Sequence, residues 1–262
     1  MVGNFNGDTR DDILVFSRTG QAYVALSNGS SFVGTAVLWH NAFCFGNEVC
    51  AVGDVNGDNR TDILVFNRGN TGDVWVALSN GSSFGAVQKW HDNFGFGSEI
   101  PMLGDFNGDN RDDIIVFNRG GSGDAWVGLS NGFSFGAPVK WHDNFTFGGE
   151  IPAIGNFNGD SRDDIVVFTR GGSGDAYVAL SNGSSFVGTA VRWHDNFTFG
   201  SEIPGVGDFT GDGRDDVVVY TRGSAADVYV ATSNGSSFAG TAVLWNGNFA
   251  PNAEIPLGAS LW

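Results

Sequence analysis

Side-chain oxygens at alternate positions of a short loop can close around a hard cation, and this chain carries five such loops. The pattern D-x-N-G-D-x-R-x-D is complete at Asp54, Asn56, Gly57, Asp58, Arg60, Asp62 and at Asp105, Asn107, Gly108, Asp109, Arg111, Asp113. Three variants keep its spacing: Asn4, Asn6, Asp8, Arg10, Asp12; Asn156, Asn158, Asp160, Arg162, Asp164; and Asp208, Thr210, Asp212, Arg214, Asp216. Oxygens at positions 1, 3, 5 and 9, with the position-7 carbonyl, make a five-ligand set for Ca2+ that water completes, giving up to five ions. Magnesium keeps its waters and suits such a cage less well. The same aspartates could instead cap backbone N–H groups in metal-free Asx turns. Crowded carboxylates repel one another without a cation, which favours the metal. Loops opening on Asn4 and Asn156 carry less charge and should bind more weakly, and the Thr210 hydroxyl is a poorer ligand than an amide. The arginine side chains at position 7 cannot be ligands. A salt bridge to the acid at position 8, or to the next repeat, is expected for them.

A second series follows each loop at a distance. It reads Trp90, His91, Asp92, Asn93; Trp141, His142, Asp143, Asn144; and Trp193, His194, Asp195, Asn196, each set followed by Phe. It degrades at residues 39–43 and 245–249. A sugar needs an apolar surface for its C–H face and a few oriented donors and acceptors for its hydroxyls, which this set offers. Packing between neighbouring repeats explains the same residues without a ligand. Both readings stay open here. A further arginine series, Arg18, Arg68, Arg119, Arg170 and Arg222, either faces the same ligand or pairs with acids. There is no Gly-x-Ser-x-Gly elbow, no Cys/His nucleophile pair and no one repeat set apart, so no enzyme is expected.

The elements that position these residues repeat as well. Gly3, Gly53, Gly104, Gly155 and Gly207, just before the loops, lie 50, 51, 51 and 52 residues apart. Units of that size cannot hold a core alone and must stack. In the fourth unit, residues 150–155 read as an extended run, and Asp164–Phe168 as a strand buried on both faces. Residues 176–180 read as a third strand. Asn182-Gly183 predicts a type I′ hairpin into a fourth strand over 186–193. Four antiparallel strands per unit is the pattern of a propeller blade. The expected fold is therefore all-β: a five-bladed β-propeller in one domain, with blades near 1–47, 48–98, 99–149, 150–201 and 202–253. Residues 254–262 supply a closing strand and tail. Met1-Val2-Gly3 starts mid-strand, so Glu254-Ile255-Pro256 is expected to complete blade 1 and close the ring. An array that closes only by oligomerising is the alternative, and a monomer is favoured.

Composition bounds the partners. The formal charge is −16 over 262 residues, and thirteen of the 29 acids are aspartates at loop positions 1, 5 and 9. Five divalent ions would bring the charge to about −6. With no basic cluster, neither nucleic acid nor an anionic membrane surface is an expected partner. No apolar run approaches the length of a membrane span, so no membrane insertion is expected. Met1 leads almost at once into the first loop, and calcium loops suit a calcium-rich setting. The expectation is a mature or trimmed, extracellular (secreted) chain. Cys44 and Cys50 stand in the first junction, Cys50 where Pro101, Pro152, Pro204 and Pro256 stand elsewhere. A local disulfide and two free thiols are both open readings. Asn-Gly-Ser begins at Asn28, Asn80, Asn182 and Asn234, which reads as turn chemistry in a bacterial protein rather than glycosylation.

The run G-D-F-N-G-D-N-R-D-D from Gly104, I-V-V-F from Ile165 and V-A-L-S-N-G from Val178 resemble the FG-GAP/VCBS repeat family, especially the repeats of secreted actinobacterial proteins. A more distant likeness is to fungal propeller lectins of the Psathyrella velutina type. The resemblance spans essentially the whole chain. It implies propeller blades with calcium in inter-strand loops and, in the lectin branch, sugar sites between neighbouring blades. A longer Gly-Trp-containing stretch of the fungal repeats is absent here, where Phe-Gly-Ser-Glu-Ile-Pro follows, so any contacts made there do not transfer. The resulting expectation is a calcium-stabilised, multivalent carbohydrate-binding propeller whose partners are glycans. The alternative is a non-catalytic scaffold or adhesion module that binds protein or cell wall and has no sugar pocket.

Overall fold

The structure, a computed structural model, describes residues 1–68, 71–170, 172–240, 242–249 and 251. It is all-β: a five-bladed β-propeller of four-stranded antiparallel blades. Blade 1 comprises β1 (Val2–Gly3), β2 (Asp12–Phe16), β3 (Ala22–Ser27) and β4 (Phe32–His40). Blade 2 comprises β5 (Val49–Gly53), β6 (Asp62–Phe66), β7 (Val74–Ala77) and β8 (Gln88–His91). Blade 3 has β9 (Ile100–Gly104), β10 (Asp113–Phe117), β11 (Ala125–Gly128) and β12 (Val139–His142). Blade 4 has β13 (Ile151–Gly155), β14 (Asp164–Phe168), β15 (Ala176–Ser181) and β16 (Phe186–His194). Blade 5 has β17 (Ile203–Gly207), β18 (Asp216–Tyr220), β19 (Val228–Ala231) and β20 (Val243–Asn246). Each sheet runs in chain order. The expected closing strand, Glu254-Ile255-Pro256, lies outside the described residues.

The apolar second strand of each blade explains the stacking. Every residue of β6, β10 and β14 is buried, as an unbroken β-branched run requires when both faces are covered. In β2 burial alternates instead, and Ile13 and Val15 are exposed.

Two details differ from the sequence reading. The Asn182-Gly183 turn is not type I′, because Gly183 alone takes a left-handed φ, +86°. Asn182 uses its side chain: Oδ1 accepts the N–H groups of Ser184 and Ser185, both at 2.9 Å. The amide closes the turn locally and removes the need for a second positive φ. The fourth strands also differ in length. Seven steps separate Phe186 from Trp193, but six separate Phe84 from Trp90. The extra residue enters β16 as a bulge between Val178 and Leu180 of the partner strand, and the ladder stays paired. In blade 2 the shorter run leaves only an isolated Ser79–Phe84 bridge before β8. Cys44 and Cys50 are joined by a disulfide, their Cα atoms 5.9 Å apart.

Two compact units are formed, one of Met1–Asp105, Asp109–Val116 and Trp126–Val139, the other of Phe106–Gly108, Phe117–Ala125 and Lys140–Trp262. Both pack their blades in the same way. In the first, Phe5, Leu14, Trp39 and Phe43 of blade 1 meet Ile63, Val65 and Phe84 of blade 2 in one buried cluster. In the second, Phe157, Trp193 and Phe197 of blade 4 meet Val217, Val219 and Phe238 of blade 5. Each blade thus has a leading face, turned to the blade before it, and a trailing face, turned to the blade after.

Candidate functional site

The acidic loops connect the first and second strands of each blade. In blade 2, Asp54 Oδ1 accepts the N–H of Gly57 at 2.8 Å, and Oδ2 that of Asn59 at 2.7 Å. Gly57 bends the loop with φ +76°. Asn56 Oδ1 accepts the Asp58 N–H at 3.0 Å, and Asp58 Oδ1 accepts that of Arg60 at 3.0 Å. The fourth oxygen-bearing side chain, Asp62, turns inward. It is fully buried and takes the N–H of Ser79 at 2.7 Å and that of Val55 at 3.3 Å. Asp12, Asp164 and Asp216 receive the same pair of backbone bonds. The position-9 aspartate therefore ties the loop to the third strand of its own blade. In loop 5, Asp208 collects the N–H groups of Gly211, Asp212 and Gly213, and that of Gly213 chiefly holds its carboxyl below the usual carboxylate range.

The arginines do not take the partner expected from sequence. Arg10, Arg60, Arg111, Arg162 and Arg214 pair with the position-5 aspartates Asp8, Asp58, Asp109, Asp160 and Asp212. The Nε of each donates to the carbonyl at the end of the third strand, as from Arg60 to Ser79 at 3.1 Å. This bond holds the guanidinium beside the position-5 carboxylate. The position-8 acid reaches the preceding loop instead: Asp112 Oδ2 accepts the Asp54 N–H, and Asp215 Oδ2 that of Asn156, both at 2.8 Å.

Every donor in the loops is an oxygen, the chemistry a hard cation takes. Carboxylates also crowd: burial first, then the charges of Asp58 and Asp54, push the Asp62 carboxyl up to about 8. Burial likewise lifts Asp164 to about 7, with Asp160 and Asp163 adding to it. Such a set fits a divalent cation electrostatically. Among the described residues, however, no three acidic, His or Cys side chains already converge on one point.

The Trp-His-Asp-Asn series divides by depth. Trp90, Trp141 and Trp193 are 4–6% exposed and pack on Phe135, Phe186 and Phe238 of the following blade, with ring centroids 5.2–5.3 Å apart. Their faces are covered, so a sugar cannot stack on them. The packing alternative holds for these three. The histidines lie one layer out. His142 and His194 are buried, edge-on to Phe145 and Phe197 at 5.2 Å, and His142 Nε2 lies 2.9 Å from the Gly188 carbonyl. Burial lowers the pKa of the half-buried His91. Asp92, Asn93, Asp143, Asn144, Asp195 and Asn196 are exposed. Asp92 and Asp143 pair with Lys89 and Lys140 at 2.5 Å. Asn93, Asn144 and Asn196 hold left-handed φ values of 57–62° and turn the chain at the surface.

An aromatic surface does exist, on residues sequence reasoning passed over. Phe96, Phe147 and Phe199 are 36–39% exposed, three residues beyond the asparagines. Each ring lies on a glycine of the turn after the second strand: Gly72, Gly123 or Gly174. A Cβ there would sit 2.7–2.8 Å from the ring, so the glycines make room for it. Blade 1 repeats this with Phe45 over Gly20. Blade 5 has Pro251 in place of the phenylalanine, and Ala226 takes the glycine position with φ +50°. Glu99, Glu150 and Glu202 accept the N–H groups of the three phenylalanines at 2.7 Å. Arg68, Arg119 and Arg170 donate to the carbonyls of the same glutamates at 2.6–2.8 Å. The second arginine series therefore frames the exposed ring. The available sequence signal was a recurring phenylalanine followed by glycine in the loop after the fourth strand.

Fold comparison finds a lectin of Agrocybe aegerita that recognises non-reducing terminal N-acetylglucosamine, with TM-score 0.73 and 24% identity over 95% of this chain and 66% of that one. The chain thus spans just under two thirds of the lectin's length. The Tc holotoxin pore of Photorhabdus luminescens matches with TM-score 0.62 and 13% identity over 99% of this chain and 12% of its own. At these identities the likenesses establish the fold alone. No curated protein matches the sequence. The FG-GAP-like repeat matches residues 4–65, 54–116 and 156–219, well over half of the chain. With its acidic loops at the repeat spacing, the chain belongs to the FG-GAP-like repeat family.

Proposed function

We propose that this protein is a multivalent carbohydrate-binding propeller. The supporting observation is the recurring half-exposed phenylalanine seated on a glycine, framed by Arg and Glu and followed back in sequence by exposed Asp and Asn. A flat apolar ring beside oriented donors and acceptors is what the two sides of a pyranose require. Blades 1 to 4 each carry the ring, so weak single sites would act together through avidity. The fold shared with a lectin for terminal N-acetylglucosamine makes such glycans the first ligands to try. The sugar face lies on Phe96, Phe147 and Phe199, with Asp92, Asn93, Asp143, Asn144, Asp195 and Asn196 as polar partners, and His91, His142 and His194 behind them.

Calcium belongs to the same proposal, as a staple rather than a ligand for sugar. In blade 2 the side chains of Asp54, Asn56, Asp58 and Asp62 with the Arg60 carbonyl would hold it, and the other loops would do likewise. Bound there, the ion supplies positive charge that offsets the crowded carboxylates. A calcium-rich extracellular setting follows from that role.

A glycan array tests the sugar reading. Wild-type protein should retain a set of glycans that the triple variant Phe96→Ala, Phe147→Ala, Phe199→Ala loses while keeping its β-sheet circular dichroism. Equal retention by both proteins would reject the phenylalanine surface, and an empty array for wild type would reject carbohydrate binding.

A further inference from the structure

Neighbouring acidic loops are bonded to each other, and loop 4 (residues 156–164) and loop 5 (residues 208–216) show the plan. The Asn156 N–H donates to Asp215 Oδ2, and the Asp215 N–H donates to the Asn156 carbonyl, both at 2.8 Å. At position 2, Ser233 Oγ donates to the Phe157 carbonyl at 2.7 Å. At position 3 the Asn158 carbonyl faces Gly235, where an added Cβ would lie 3.8 Å from it. At position 4 the stem of Arg214 covers Gly159, whose Cβ would lie 3.2 Å from the Arg214 Cγ. Four successive residues of loop 4 are thus seated on blade 5, the ligand positions 1 and 3 among them. Loops 1 and 2 repeat the arrangement. The Thr61 N–H donates to the Asn4 carbonyl at 2.8 Å, Ser79 Oγ to the Phe5 carbonyl at 2.6 Å, and the Arg60 stem covers Gly7. Asp112 and Asp54 exchange the same two bonds as Asp215 and Asn156, at 2.7 and 2.8 Å.

The residue that makes the link stands between two ligand positions of its own loop. Asp215 is flanked by Arg214, whose carbonyl is the position-7 oxygen, and by Asp216 at position 9. These oxygens are not yet gathered. Asp212 pairs with Arg214, while Asp216 is fully buried and takes the N–H groups of Phe209 and Ser233. Among the described residues no three acidic side chains converge on one point. An ion in loop 5 has to draw Asp208, Asp212 and Asp216 together with the Arg214 carbonyl. Doing so fixes Asp215, and with it the backbone of position 1 in loop 4. That ordering is then already done when loop 4 takes its own ion, which binds more tightly as a result. By linkage, an ion in loop 4 helps loop 5 to the same extent.

We propose that neighbouring acidic loops bind Ca2+ with positive cooperativity, and that the position-8 aspartates are the positioning residues that couple them, Asp215 for loops 4 and 5 and Asp112 for loops 2 and 3. This coupling rests on calcium occupying the loops, as proposed above, and adds a dependence of each site on the next. Coupling between two sites of one protein typically changes affinity by about 5- to 150-fold.

A calcium titration of the 262-residue chain, followed by two-dimensional 1H–15N NMR, tests this. The Gly159 and Gly211 amides donate to the position-1 side chains of loops 4 and 5, so each reports its own loop. Asn158→Ala removes a ligand of loop 4 and leaves the backbone bonds to blade 5 in place. It should weaken Ca2+ binding at loop 5 by about fivefold or more. In an Asp215→Ala background the same substitution should leave loop 5 affinity unchanged. Circular dichroism checks folding. If Asp215→Ala does not fold, Asp112→Ala with Asn107→Ala, read at the Gly57 amide, makes the same test for loops 2 and 3. Loop 5 binding unaffected or tightened by Asn158→Ala alone would overturn the coupling while leaving calcium in the loops. So would an equal weakening with and without Asp215. No calcium-dependent shift at either glycine would reject the calcium reading itself, and the coupling with it.

Discussion

Removing one hydroxyl tests how much a bond between neighbouring blades carries. Ser130 is 4% exposed, and its Oγ donates to the Val55 carbonyl at 2.6 Å while accepting the Gly132 N–H at 3.1 Å. Ser130→Ala strands a carbonyl and an amide away from water. Each orphaned group costs about 1–3 kcal/mol, so a total near 3 kcal/mol is expected. For a chain of this size that lowers Tm by about 6–12 °C. Ser27→Ala removes only the acceptor for Gly29, at a half-exposed site, and should cost less than about 1 kcal/mol. Differential scanning calorimetry reads both. Equal losses from the two variants would refute the reasoning, since the junction bond would then carry nothing.

Three further outcomes follow from the geometry. Trp141→Ala should cost about 3–5 kcal/mol in urea denaturation, because the ring fills the space between Phe106 and Phe186 instead of meeting a ligand. Gly123→Ala should lower stability by about 1–2 kcal/mol, from its φ of +61° alone, and displace Phe147, which a weakened glycan affinity for that blade would report. In EDTA, stability should fall as pH rises from about 4 to 8. Burial raises Asp62 and Asp164, so the folded chain keeps protons that the unfolded chain has lost, and the advantage disappears as pH passes about 7 and about 8. Added calcium should raise Tm and flatten that decline; identical melting curves with and without calcium would count against the staple.

How far the sequence could be read depended on whether chemistry was local. The repeat of Gly-Asp loops and the apolar run Asp164–Phe168 set the blade, since a β-branched strand with no polar face must be covered twice. Strand limits in blade 4 agree to within a residue, because Gly and Asn-Gly punctuate them. Burial of Trp90, Trp141 and Trp193 was not legible, because their cover, Phe135, Phe186 and Phe238, comes from the next repeat, some 45 residues on. The Arg60–Asp58 pairing was likewise hidden: it depends on a carbonyl of Ser79, in another strand. Phe96 and its equivalents looked like loop filler until the turn glycines beneath them came into view.

The most direct test of carbohydrate binding is a calorimetric titration of the protein, in calcium, with an oligosaccharide ending in N-acetylglucosamine. The account predicts saturable binding at more than one site per chain, reduced stepwise by Phe96→Ala, Phe147→Ala and Phe199→Ala. Binding unchanged in the triple variant would contradict the assignment of the sugar face to these rings.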